Sequence, residues 1–251
     1  MKNLFENELE EQAKQYMISQ FPFEGVGIFT ETSFIPLTNI AEDRKNSFLV
    51  DEKELLEIGF EHVKAIIHSH PTEFEPKQYP SALDMKTQLN YDLPFGIVSC
   101  NKERAYDIEY FGDCVAKAPL LGRYFIHGIQ DCYSLVRDYY SLELGIQLLE
   151  FPRNWLWWED DCDLYMQFEK TGFYEIPFSQ MKKGDFFIMP LGYHAMRHGI
   201  SNHGGIYLGD ETILHHKAGK SPYDVGQLSV RENIYRYSKY FSHCLRHKDN
   251  K

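Results

Sequence analysis

A segment without regular periodicity constrains this chain more than any single motif, because it separates two different patterns of secondary structure. The segment "GDCVAKAPLLGRYFIHG" begins at Gly112 and carries Gly and Pro where neither a helical nor a strand spacing holds. Connections between domains fall in such stretches. We therefore predict a boundary near residues 112 to 122, with one domain over residues 1–112 and another over residues 120–251.

Composition excludes several classes of protein. The chain has 251 residues and 43% hydrophobic content, enough for a packed core in each half. Lys and Arg total 26 against 37 Asp and Glu, a net charge of -11, so we expect no nucleic-acid partner. No run of 18 apolar residues occurs, and the acidic, amphipathic N-terminus does not look like a secretion signal. We expect no membrane span and synthesis in the cytoplasm.

The first half is predicted to be an α/β unit. Helical spacing of apolar residues runs from Leu9 to Ile18, and Asp51 and Ser81 are placed to cap two further helices. Short strands are predicted at "EGVGIF", "SFIPLTNI", "VKAIIHSH", "FGIVSC" and "AYDIEYF".

The second half is predicted to have an α+β plan. A helix from Asp131 to Leu144 comes first, and "DLYMQFEKTGF" is predicted to be a second helix. Three strands separated by Gly and Asp turns are predicted at "GDFFIMP", "HGGIYLG" and "TILHH". One helix followed by a small antiparallel sheet is an α+β arrangement.

Two histidines at the end of the predicted strand "VKAIIHSH" indicate a metal site. Alternate side chains of a strand point to the same face, so His68 and His70 converge while Ser69 faces away. Asp84, one turn into the next helix, can supply a third ligand and leave a fourth position for water, as in catalytic zinc sites. The alternative is a solvated turn that happens to be rich in polar residues.

A base and a hydrogen-bond donor complete this predicted zinc site. Glu24 can act as general base, and Ser81 can hydrogen-bond the oxyanion formed on attack. The stretch resembles the JAMM, or MPN-type, metalloproteases, whose motif is an early glutamate, then His-x-His-Pro, a loop and Ser-x-x-Asp. In order, that motif matches Glu24, His68, His70, Pro71, Ser81 and Asp84.

Cys132 is the best candidate nucleophile among the five cysteines. Asp131 is a good N-cap, which places Cys132 in a first helical turn, where the helix dipole favours a thiolate. By contrast, the four carboxylates around Cys162 are expected to raise the pKa of that thiol. The scattered cysteines suggest neither a disulfide framework nor a cysteine-type zinc site. A buried structural cysteine at position 132 is the alternative.

Two histidines can serve this cysteine. His203 opens one predicted strand and His215 lies on the next, so the two rings can be neighbours in a hairpin. One would act as general base and acid while the other orients it. Cys132, His203 and His215 resemble the nucleophile, base and third member of the NlpC-type cysteine peptidases, which are papain-like cell-wall endopeptidases.

A chain that combines a JAMM-like half with an NlpC-like half resembles the tail-tip assembly proteins of long-tailed phages related to lambda. This implies a protein made in the cytoplasm of the infected host, which acts at the virion tail tip with other tail-tip proteins as partners. Its cysteine domain would hydrolyse stem or cross-link peptides of host peptidoglycan, and its zinc domain would cleave or bind a tail protein. Two alternatives remain: a zinc isopeptidase as the main activity, and an idle structural component of the tail tip.

Overall fold

The computed structural model describes residues 4–160, 163–217 and 219–250. The chain forms two compact units, one up to residue 116 and one from residue 117 onward. The division falls inside the connecting segment predicted at residues 112 to 122. Within the described ranges, no helix combines the length and the apolar character needed to cross a membrane.

The first unit begins with helix α1, Asn7–Gln20, whose buried face follows helical spacing. Leu9, Ala13 and Met17 recur every four residues and are buried against the sheet. The helix ends before Pro22, which cannot continue it. The helix predicted at Leu9 to Ile18 is confirmed.

A five-stranded sheet forms the centre of the first unit, in the order β2-β1-β3-β4-β5. Only the β3–β4 pair is parallel. Helices and loops cover the sheet, so β3 and β4 are buried along almost their whole length. The strands are β1 (Val26–Phe29), β2 (Phe34–Leu37), β3 (Ala65–Pro71), β4 (Phe95–Cys100) and β5 (Glu109–Phe111).

Two capped helices complete the first unit. Helix α2 spans Glu52–Ile58, and the Asp51 side chain accepts a hydrogen bond from the Lys53 N–H. Helix α3 spans Ala82–Tyr91 and follows Ser81, which forms a capping box with Asp84. A short 3₁₀ helix covers Phe60–His62. Both predicted caps are therefore confirmed.

The second unit packs one helix on a seven-stranded sheet. Helix α4, Cys132–Leu144, buries Leu135, Val136 and Tyr140 in a core shared with the sheet. The sheet order is β6-β11-β10-β9-β8-β12-β7, and all its pairs are antiparallel. Its strands are β6 (Tyr124–Ile126), β7 (Phe173–Glu175), β8 (Phe186–Met189), β9 (His203–Gly209), β10 (Thr212–His216), β11 (Tyr223–Asn233) and β12 (His243–His247).

The second unit differs from its prediction in two respects. The helix expected at "DLYMQFEKTGF" is a 3₁₀ helix at Tyr165–Thr171 that leads into β7, because Gly172 takes a positive φ and ends it. The three expected strands are present as β8, β9 and β10, but four more extend the sheet. Helix α5 (Tyr193–His198) and further 3₁₀ helices at Trp157–Glu159, Phe178–Gln180, Ile234–Arg236 and Ser238–Tyr240 occupy the connections.

Candidate active site and candidate metal centre

The start of helix α4 is held rigidly by Asp131. Its carboxylate accepts hydrogen bonds from the backbone N–H groups of Gly128 and Ser134, both at 2.9 Å. The Arg153 guanidinium binds the same carboxylate from the side, with Nε to Oδ2 and Nη2 to Oδ1 both at 2.9 Å. Burial opposes ionisation of Asp131, but the charge of Arg153 holds the pKa of that carboxyl well below its usual range. Cys132 therefore begins the helix in a fixed position.

The Cys132 thiol is protonated at rest. Burial raises the pKa of this thiol to about 11, and the neighbouring Asp131 carboxylate adds to that increase. Hydrogen bonds from the Tyr165 hydroxyl, 3.1 Å from Sγ, and from the Gly204 backbone act in the opposite direction without balancing it. The expectation of a thiolate stabilised by the helix start is therefore wrong for the resting site, because desolvation of the sulfur outweighs the helix terminus. Cys162, for which a raised thiol pKa is predicted, lies outside the described residues.

The two predicted histidines lie side by side. His203 begins β9 and His215 lies on β10, and the His203 Nε2 atom is 3.0 Å from His215 Nδ1. The turn joining the strands places Asp210 and Glu211 at positive φ. Burial lowers the pKa of both imidazoles, and that of His203 falls well below the usual range. Both rings are consequently neutral at neutral pH.

One cavity joins His203 to the cysteine. Cys132 and His203 line the same cleft of about 320 Å³. Aromatic side chains form much of its wall, including Trp155, Trp157 and Trp158, and the neighbouring rings meet edge to face. A thiol, a neutral imidazole and an apolar cleft together can carry out acyl transfer on a bound peptide.

Glu232, which was not among the residues predicted from the sequence, continues the series from His203 to His215. Its Oε2 atom is 3.0 Å from His215 Nε2. Burial opposes ionisation here, but hydrogen bonds from Tyr237, His215 and Lys217 lower the pKa of the Glu232 carboxyl to about 2. No motif marks this residue, since only the pairing of β10 with β11, in which Ile213 lies opposite Glu232, places it diagonally across from His215.

The first unit brings His68, His70 and Asp84 together. The Nε2 atoms of the two histidines are 3.1 Å apart, and Asp84 places Oδ1 3.3 Å from His68 and Oδ2 3.3 Å from His70. His68 and Asp84 are buried and His70 is partly buried. Among the described residues this is the group of three or more His, Cys, Asp or Glu side chains that could hold a metal ion.

The spacing of these three ligands fits a tetrahedral zinc ion. With bonds of about 2.0 to 2.1 Å, the edges of a tetrahedron are about 3.3 to 3.4 Å, close to the three separations present. The His70 Nδ1 atom is 2.9 Å from the Lys77 carbonyl, so Nδ1 carries the proton and Nε2 keeps its lone pair for a metal. The donor set, two imidazoles and one carboxylate, is also of the kind zinc prefers.

Glu24 and Ser81 lie at the same centre. A cavity of about 190 Å³ is lined by Glu24, His70, Ser81 and Asp84. Burial raises the pKa of Glu24 to about 8, and its Oε2 atom has no hydrogen-bond partner among the described residues. The Ser81 hydroxyl donates to Asp84 Oδ2 at 2.7 Å and thus holds that ligand, while its role toward an oxyanion stays a prediction.

Comparison with known proteins gives two kinds of match. Residues 122–243 match the NlpC/P60 family, a family of cysteine peptidases. Tail tip assembly protein K of Escherichia phage lambda is 35% identical over 155 residues, which cover 61% of this chain and 69% of that protein. Tail tip assembly protein K of Escherichia phage N15 is 30% identical over 211 residues, covering 80% of this chain and 81% of that protein.

Solved structures are more distant. NlpC1 from Trichomonas vaginalis matches with a TM-score of 0.34 and 17% identity, covering 55% of this chain and 50% of that protein. An NlpC/P60 family protein from Bacillus cereus matches with a TM-score of 0.35 and 12% identity, covering 93% of this chain and 66% of that protein.

Proposed function

The chain belongs to the family of tail tip assembly protein K, and on that premise we propose that it is a phage tail-tip protein whose second unit is a cysteine endopeptidase acting on peptides of the host cell wall. The observation that carries the proposal is the placing of Cys132 at a rigid helix start, in one cleft with His203, which is backed by His215. Peptidoglycan as substrate rests on the NlpC/P60 match and on the resemblance to cell-wall endopeptidases.

The reaction follows from the two neutral groups. As Cys132 Sγ attacks the scissile carbonyl carbon, its proton passes to the Nδ1 atom of His203, the ring nitrogen that His215 does not contact. The C–N bond then breaks, and His203 returns the proton to the leaving amine. Water attacks the resulting thioester with His203 as base, which releases the new carboxyl group and restores the thiol.

The proposed setting is the tail tip of the virion. The protein is made in the cytoplasm of the infected host and joins other tail-tip proteins there. Its acidic composition, with a net charge of -11, gives it no attraction of its own to anionic wall polymers. Delivery to the wall is therefore a task for its tail-tip partners.

The test is release of peptide fragments from purified peptidoglycan, followed by mass spectrometry. Wild type should release them, and Cys132→Ala should abolish release because it removes the nucleophile. Cys114→Ala is the matched control, since Cys114 is an exposed cysteine of the first unit. Equal release by Cys132→Ala and wild type would show that another group performs the cleavage.

We also propose that the first unit is a zinc peptidase acting on a tail protein. The observation that favours this is the set of His68, His70 and Asp84 at tetrahedral spacing, beside a Glu24 carboxyl oxygen that has no hydrogen-bond partner in the described part of the chain. A zinc ion held by these three residues would polarise a peptide carbonyl and make a water molecule more acidic. Glu24 lines the same cavity as these ligands and would take the proton of that water and return it to the leaving amine.

Elemental analysis of the full chain tests this second proposal. After reconstitution, wild type should carry one zinc ion per chain and His68→Ala should carry none. His62→Ala, which removes an exposed histidine of the same unit, should keep the metal. Glu24→Gln should also keep the metal and lose any zinc-dependent cleavage, because it removes a base and no ligand. A metal-free wild type would leave the first unit as a structural part of the tail tip.

A further inference from the structure

We propose that Glu232 is a positioning residue that fixes the proton on each histidine of the second unit, so that His203 presents a lone pair to Cys132. The inference rests on the proposed cysteine-peptidase function. It adds a fourth member to the row Cys132, His203 and His215, contributed by β11, an element that the sequence analysis did not identify.

The contacts of Glu232 divide between its two oxygens. Oε2 receives the Tyr237 hydroxyl at 2.5 Å and lies 3.0 Å from His215 Nε2. Oε1 receives two cations, Lys217 Nζ at 3.1 Å and Arg236 Nη1 at 2.8 Å. An ionised carboxylate can only accept hydrogen bonds, so His215 must carry its proton on Nε2.

The tautomer of His215 in turn determines the tautomer of His203. With Nε2 protonated, neutral His215 has a lone pair on Nδ1, which lies 3.0 Å from His203 Nε2. His203 must then carry its proton on Nε2 in order to donate across this contact. Its Nδ1 atom is left with the lone pair, as a general base for the Cys132 thiol requires.

Substitution by Gln reverses the pattern, which gives the proposal a distinctive test. Lys217 and Arg236 at the Oε1 position will select the amide oxygen of Gln, so the amide NH₂ will occupy the Oε2 position. There it donates to His215 Nε2 and moves the His215 proton to Nδ1. His203 must then accept on Nε2 and carry its proton on Nδ1, which leaves Nδ1 without a lone pair for the thiol proton.

The experiment uses the full chain and two readouts that need no substrate. One is the protonation pattern of His203 and His215, read from their ¹⁵N chemical shifts. The other is the rate of Cys132 alkylation by iodoacetamide as a function of pH, followed by peptide mass spectrometry. The variants are Glu232→Gln and Glu232→Ala. Glu211→Gln is the control, because Glu211 is an exposed carboxylate that contacts Tyr235 rather than a histidine.

We expect Glu232→Gln to be less active than Glu232→Ala, the reverse of what a purely structural role would give. Peptide release should fall on the order of 10³-fold in Glu232→Gln, because the wrong tautomer costs about 10⁴-fold in a serine protease. Glu232→Ala should lose only about 10- to 100-fold, because water can still accept from His215. Cys132 alkylation should slow in the same order, and the ¹⁵N shifts should show His215 protonated on Nδ1 only in Glu232→Gln. Glu211→Gln should match wild type in every readout.

Two results overturn the proposal. One is a folded Glu232→Gln protein whose ¹⁵N shifts and alkylation profile match those of wild type. The other is a Glu232→Gln protein that is more active than Glu232→Ala, which is the result that a purely structural role of Glu232 requires. If wild type fails to cleave peptidoglycan but the shifts and alkylation rates change as expected, the assigned substrate is wrong and the role of Glu232 stands.

Discussion

At the scale of single residues, the second unit starts its reaction from a neutral pair. A thiol with a pKa of about 11 and a His203 imidazole with a pKa well below its usual range do not exchange a proton at rest. Proton transfer must therefore accompany attack on the carbonyl carbon. This distinguishes the site from one that holds a preformed thiolate and imidazolium.

The pH profile of peptide release should show this difference. His203 must be unprotonated to act as base, so release should fall on the acid side only well below pH 6.5, the ordinary value for histidine. On the alkaline side the thiol keeps its proton up to about pH 11. We expect a broad plateau in kcat/KM between these limits. An acid limb centred at or above pH 6.5 would contradict the neutral pair.

Tyr165 should assist the sulfur as it becomes charged. Its hydroxyl lies 3.1 Å from Cys132 Sγ and can donate to a developing thiolate. A hydrogen bond to a charged group contributes about 1.5 to 3 kcal/mol, so Tyr165→Phe should slow Cys132 alkylation about 10- to 100-fold. Tyr174→Phe, at a half-exposed tyrosine of β7, is the control. An unchanged alkylation rate in Tyr165→Phe would remove the hydroxyl from the mechanism.

At the scale of elements, the cap of helix α4 should matter more than the other caps. Asp131 and Arg153 are both buried, so Asp131→Ala removes a cap and also leaves a buried guanidinium without this partner. We expect a loss of about 3 to 5 kcal/mol in the free energy of unfolding. Asp51→Ala, which removes the solvent-exposed N-cap hydrogen bond of α2, should lower the free energy of unfolding by about 1 kcal/mol. Urea unfolding measures both, and equal losses would show that the ion pair adds nothing.

Elements defined by local signals could be predicted from the sequence. Helix α1 carries apolar periodicity, and helices α3 and α4 begin at capping residues. The segments that become β3, β4 and β9 contain apolar stretches that the sequence shows directly. The missed strands lack such signals. Strand β11 is mostly half-buried or exposed, and β6 and β7 are three residues each, so pairing with neighbours distant in sequence defines them.

The sites follow the same division. His68, His70 and Asp84, and likewise Cys132, His203 and His215, lie within or beside elements that the sequence predicts, and the structure brings each set together. Glu232 and Tyr165 could not be found this way, because each reaches its site only through the tertiary fold. The predicted thiolate at Cys132 is wrong for a related reason, since the burial that keeps the thiol protonated is a property of the packed unit.

At the scale of the whole molecule, the second unit should be sensitive to acid. Burial lowers the pKa of His127 to about 4, whereas an unfolded histidine titrates near 6.5. The unfolded state therefore binds the proton first, and stability is lost as pH falls from about 6.5 to 4, by about 3 kcal/mol. Glu232, with a pKa of about 2, acts in the same direction below pH 4.5.

Urea unfolding at several pH values measures this loss. Fluorescence is a suitable probe, because all three tryptophans lie in the second unit. His127→Gln should reduce the slope of stability against pH between 7 and 4. His194→Gln, which replaces an exposed histidine, should leave the slope unchanged. A slope unaffected by His127→Gln would assign the acid sensitivity to other groups.

The two proposed chemistries should be separable within one intact chain. The zinc ligands all lie before residue 117 and the cysteine machinery lies after it, and acyl transfer by Cys132 and His203 needs no metal. Peptide release from peptidoglycan by the full chain should therefore continue in the presence of a chelator and in His68→Ala. Conversely, Cys132→Ala should bind as much zinc as wild type. If chelation stops peptidoglycan cleavage in a chain that stays folded, the wall-degrading activity belongs to the zinc centre, and Cys132 is a structural residue of the second unit.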